Sequence, residues 1–105
     1  MTENINGETP EEILAKLNRE TSKIAWTELL PFFAKGMAIY VSHTLDLVNV
    51  AFELAQDNKE QFKTWMDKGL IANVTDEQAS VWNETDIVVW CVVVKPFVLV
   101  QPVVD

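Results

Sequence analysis

The chain has 105 residues, of which 49% are hydrophobic and 23% charged, a composition that fits one globular domain and argues against a fibrous or wholly disordered chain. Sixteen acidic against eight basic residues give a formal charge of −8, which argues against nucleic acid or an anionic membrane as the main partner, because both require a basic footprint. A single cysteine excludes an internal disulfide and a cysteine-built metal centre.

Residues 1–8 are acidic and carry no apolar h-region, so they read as a disordered lead-in and not as a signal peptide. Residues 9–105 read as a single domain. Its longest unbroken apolar run, Ile87 to Val94, covers eight residues, whereas a membrane-spanning helix requires about 20. A soluble, cytoplasmic protein is expected, with Cys91 as a reduced thiol. Asn73-Val74-Thr75 and Asn83-Glu84-Thr85 match the glycosylation acceptor pattern, by chance on this reading.

Thr9-Pro10-Glu11-Glu12 combines a cap, a proline in the first turn and a glutamate three residues on, and predicts a helix over about 10–23 with Ile13, Leu17 and Ile24 near the 3.6 period. A short helix follows over 27–35, stopped by Gly36, with Trp26 as a staple at its start. Met37 to Ser42 alternates as a strand. A third helix over about 45–56, capped from Ser42 or Thr44, is apolar on most of its surface and is expected to be central. Asp57 with Glu60 predicts a capping box for a helix ending near Lys68 and closed by Gly69. Leu70 to Val74 is a short strand, and Thr75 to Gln78 a third capping box opening a helix to about Asn83. Ile87 to Val94 and Phe97 to Gln101 are strands by their β-branched content. Around Lys95-Pro96 they form a hairpin or one kinked strand. The fold class is α+β, with about five short helices packed on a small mixed sheet of three to four strands.

The order of these signals resembles a known family. Trp26-Thr27-Glu28-Leu29, Phe33-Ala34-Lys35-Gly36, Leu45-Asp46-Leu47-Val48, Trp65, Thr75-Asp76-Glu77-Gln78-Ala79, Trp82 and Val94-Lys95-Pro96-Phe97-Val98-Leu99-Val100-Gln101 carry a resemblance to the small bacterial family catalogued as domain of unknown function twenty-two eighty-eight, over roughly residues 13–101. The resemblance implies a stand-alone bacterial protein and brings no activity, substrate or catalytic residue.

Few residues point to chemistry. His43, the single histidine, falls between a strand end and a helix start, where binding loops occur. Asp46 in the first turn of the third helix is a weak candidate for a general base if buried, and more simply a partner for the free amides there. Tyr40 is a second polar group near the same turn. Cys91, inside an apolar strand, behaves as a small hydrophobe. Histidine, cysteine and carboxylates lack ligand spacing, so no metal or other cofactor is expected. Gly7, Gly36 and Gly69 form no phosphate loop. Trp26, Trp65, Trp82 and Trp90 sit at core spacing rather than as an aromatic cage.

Packing within one chain leaves one feature without an account. Ile87 to Val104 is hydrophobic at fourteen of eighteen positions, so both faces of its strands are apolar, where a half-solvated strand would alternate. A second copy covering part of this ribbon, with Trp90, Phe97 and Leu99 as anchors if exposed, gives a homodimer as the expected assembly. The leading expectation is therefore a non-enzymatic interaction module. The alternative is a small-molecule binder or weak enzyme at the 42–46 turn, built on Tyr40, His43 and Asp46, and a buried, unpaired Asp46 would favour it.

Overall fold

The computed structural model describes residues 8–103. All of the expected lead-in except Glu8 lies outside the described residues. No helix is long and apolar enough to cross a membrane among those described.

Two of the three capping boxes form as the sequence predicts. Thr9 Oγ1 accepts the Glu12 amide at 3.2 Å and Glu12 Oε1 accepts the Thr9 amide at 2.8 Å, so α1 (Pro10–Glu20) opens with two of its free donors satisfied. Thr75 and Gln78 exchange the same pair of bonds, each 3.0 Å, at the start of α5 (Asp76–Thr85). The third box does not form. Asp57 turns left-handed at φ +58°, and its amide and that of Asn58 bond the carbonyls of Leu54 and Glu53 at 3.0 Å each. That pattern ends α3 (Leu47–Ala55) as a Schellman motif. Asn58 instead caps α4 (Lys59–Asp67), accepting the Gln61 amide at 3.2 Å. Asp57 is a stop signal, where the spacing to Glu60 had read as a start.

Helix α1 ends at Glu20 rather than near residue 23. Thr21 is extended, and its hydroxyl donates to the Leu17 carbonyl at 2.8 Å, which closes the last turn. The chain leaves as β1 (Ser22–Ala25), a strand the helical spacing of Ile24 had hidden. A 3₁₀ turn over Trp26–Leu29 then runs into α2 (Leu30–Ala34). Gly36 and Gly69 take φ of +72° and +73° and turn the chain into β2 (Ala38–Val41) and β3 (Ile71–Asn73). The apolar ribbon is a hairpin. β4 (Val88–Val94) and β5 (Phe97–Pro102) pair antiparallel across Lys95-Pro96, a cis peptide bond.

Among the described residues the sheet has five strands, one more than the upper expectation, in the order β1-β4-β5-β2-β3. β2 runs parallel to β5, and every other neighbour is antiparallel. Helices lie on both faces. Trp26, Leu29, Ala79 and Trp82, from the 3₁₀ turn and α5, close over Val89, Cys91, Val98 and Val100. On the opposite face Leu17, Leu47, Val50, Ala51 and Trp65, from α1, α3 and α4, close over Val41, Ile71, Val92 and Leu99. The chain's own helices therefore cover the centre of both faces of the hairpin, where no second copy is needed, and leave Val88 and Val93 of β4 exposed at 47% and 41%. Leu99, expected as an interface anchor, is 0% exposed and cannot meet a partner, because it lies in the central strand beneath α3. Trp90 and Phe97 are half-buried, and Trp90 lies under the Lys23 ammonium at 5.0 Å.

Trp26 anchors its face. It is 0% exposed and meets Trp82 and Phe33 edge-to-face at centroid distances of 5.0 and 5.9 Å, so it is a core residue and more than a staple. Its indole N–H is buried without a hydrogen-bond partner. Trp26→Ala should therefore cost about 3–5 kcal/mol. Trp26→Phe should cost much less, because it keeps a ring and removes the unpaired donor. Urea unfolding of the two variants checks this, and equal losses would contradict it.

Candidate functional site

The turn between β2 and α3 carries the sequence-predicted polar residues, and the structure shows what holds it. Ser42 is buried at 8% exposure. Its hydroxyl lies 2.9 Å from Thr44 Oγ1 and accepts the Thr44 amide at 3.2 Å, while its carbonyl accepts the Leu45 amide at 3.1 Å. Gln101 reaches in from the end of β5. Its Nε2 donates to the carbonyls of Ser42 at 2.9 Å and Leu45 at 2.8 Å. One side-chain amide thus clasps both ends of the turn and ties the last strand to the start of α3. Gln101 ends the segment that carries the family resemblance, but no spacing in the sequence names its partners, which lie 59 and 56 residues away.

Asp46 is the N-cap of α3, where Ser42 or Thr44 had been expected to cap and Asp46 to sit in the first turn. It is exposed, and its Oδ1 accepts the Val48 amide at 3.0 Å. Its carboxylate thereby satisfies a free helix donor and faces the positive end of the helix dipole. His43 is exposed on the same turn. Tyr40 does not join them. It packs on the sheet face that carries Trp26 and Trp82, whereas Asp46 opens a helix that packs on the opposite face.

Tyr40 instead lines an open groove of about 620 Å³ between β3 and α5, with Gly69, Ala72, Asn73, Val81 and Trp82 among its walls. Val81 is 55% exposed there, one of the most exposed large hydrophobics. The sequence offered no signal for this groove, since Val81 reads as one apolar residue on an otherwise polar helix face.

Burial pushes the Cys91 thiol above its ordinary value of 9.0, and a hydrogen bond with Ser22 draws it part of the way back. The thiol is protonated at neutral pH, in keeping with a packing role. Because the unfolded thiol ionises first, this contribution to stability is complete below about pH 9 and is lost as pH rises through the folded value. Among the described residues, no three His, Cys, Asp or Glu side chains cluster in a way that could hold a metal ion.

The fold and this turn define a small α+β domain, a mixed five-stranded sheet between two layers of helices. Over residues 12–102 the chain matches the family described as Protein of unknown function (DUF2288), and it belongs to that family. It is similar to the NMR solution structure of PA1075 from Pseudomonas aeruginosa, with 38% identity over 99% of this chain and 95% of that one, and a TM-score of 0.79. No curated protein matches.

The roles assigned to the turn make a joint prediction. Asp46→Ala should cost about 1 kcal/mol and Asp46→Asn almost nothing, since asparagine caps equally well. Gln101→Leu should cost about 1–3 kcal/mol through two carbonyls that lose a donor. Chemical denaturation of the three variants checks this. An Asn variant as damaged as the Ala variant would contradict the capping role.

Proposed function

We propose that this chain is a non-enzymatic interaction module of the bacterial cytoplasm, and that it meets a protein partner on the side of its sheet bounded by β3 and α5. The observation that carries this reading is the open groove there, in which Val81 stands exposed beside Tyr40 and Ala72. An exposed apolar side chain bordered by polar ones, here Thr75, Glu77 and Gln78, has the apolar centre and polar rim of a contact surface. The state of Asp46 favours this reading over a small-molecule site at the 42–46 turn. Its carboxylate is solvated and engaged by a helix amide, so it lacks the burial that a general base in a pocket would need. A buried, protonated Cys91 suits a reducing compartment.

Photocrosslinking in bacterial cells tests the reading. A photoreactive residue in place of Val81 should capture a protein, a second copy of the chain counted among such partners. The same probe in place of His43 should capture none. Capture at position 43 with none at 81 would overturn the proposal and return attention to the turn.

A further inference from the structure

We propose that a second copy of the chain is the partner, added edge to edge and antiparallel at β3 so that two sheets become one. This rests on the interaction reading above and names its occupant.

The two edges of the sheet differ. β1 and β3 are both outer strands, and an outer strand offers a row of unpaired backbone groups that natural proteins blunt with short length, charge, proline or a bulge. The β1 edge is blunted. Bonding of the Trp26 amide to the Ile87 carbonyl, with the register Lys23↔Trp90 and Ala25↔Val88, turns the backbone groups of Lys23 and Ala25 outward, and Lys23 places a lysine there. The β3 edge has no guard but its length of three residues. The Ser42 amide bonds the Leu70 carbonyl at 2.8 Å and the Val74 amide bonds the Ala38 carbonyl at 3.1 Å. Alternation along an antiparallel ladder then points Ile71 and Asn73 away from β2. The segment Leu70 to Val74 contains no lysine, arginine or proline.

Antiparallel pairing about a two-fold axis through Ala72 satisfies these groups. Ile71 of each copy exchanges both backbone bonds with Asn73 of the other, and Ala72 falls opposite its own mate in the closer, non-hydrogen-bonded position. Alanine is small enough for that approach, and its side chain is exposed and free to make it. Charge agrees with the antiparallel sense. Lys68 precedes β3, and Asp76 and Glu77 follow it, all three exposed, while Asp67 beside Lys68 is engaged by Lys63 at 3.3 Å, so the Lys68 ammonium of each copy approaches the carboxylates of the other. A two-fold perpendicular to the sheet keeps both α5 helices on one side of the joined sheet, and the exposed Val81 of each borders the junction. The self-complementary arrangement closes with two copies.

Light scattering after size exclusion, over roughly a hundredfold concentration range, together with amide exchange on the same wild-type protein, tests this. The expected mass is twice the 11.9 kDa chain. The Ile71 and Asn73 amides should exchange at least about tenfold more slowly than those of Lys23 and Ala25, which face solvent at the other edge. Ala72→Lys, at an exposed position, should give single-chain mass with an unchanged circular dichroism spectrum. A single-chain mass throughout overturns the pairing. So does a dimer in which Ile71 and Asn73 exchange as fast as Lys23 and Ala25, or a folded Ala72→Lys variant that still pairs. A monomer whose probe at position 81 still captures a different protein removes the pairing and leaves the interaction reading standing. A monomer with no capture at 81 removes both.

Discussion

The β4–β5 hairpin is apolar on both faces, and the rest of the molecule is arranged around that constraint. Val98, Leu99 and Val100 are consecutive in β5 and each is 0% exposed, so the strand can exist only with cover above and below. Each such side chain is worth about 1.5–3 kcal/mol when removed from water, and exposing either face would forfeit several of them. The cover comes from helices drawn alternately along the sequence. α1, α3 and α4 go to one face, while the 3₁₀ turn with Trp26, together with α5, goes to the other. Crossing between faces requires chain to pass the ends of the sheet, and the turns at Gly36, Ser42 to Asp46 and Gly69 do that work.

Local signals were readable in the sequence where one residue type performs one backbone task. Thr9 and Thr75 cap helices, and Gly36 and Gly69 end segments in a left-handed conformation. The reading failed where two local rules compete for the same residue. Asp57 has the spacing of an N-cap and also tolerates the left-handed region, and the geometry of the preceding helix decided the matter. Ile24 continued a helical period but belongs to β1, because Thr21 had already closed the last turn of α1. Leu99 shows a different limit. An apolar residue on a two-sided strand looks the same whether a helix or a second chain covers it, and only the tertiary path of α3 separates the two.

The polar turn shows how a candidate site dissolves once its partners are known. Ser42, Thr44 and Asp46 are placed where binding loops occur, yet each has a bond that serves the fold. Gln101, whose role no short-range pattern could nominate, holds both ends of the turn. Tyr40 was drawn into the same site by its nearness in sequence, and the alternation of a strand sent it to the other face. The features left over once the fold has claimed its residues are an edge without charge or proline and an open groove beside it. Both belong to β3 and α5, far along the sheet from the β1 edge that Lys23 protects. Function on this account follows from what the sheet leaves uncovered, and not from the residues whose chemistry is most familiar.

The claim that everything depends on the doubly covered hairpin can be tested by native-state hydrogen exchange across all amides. The account predicts that the paired amides of β4 and β5 exchange only by global unfolding, with protection equal to the full stability of the domain, while the helices of either face open at lower free energy. Hairpin amides that exchange through a smaller opening than those of α3 or α5 would contradict it.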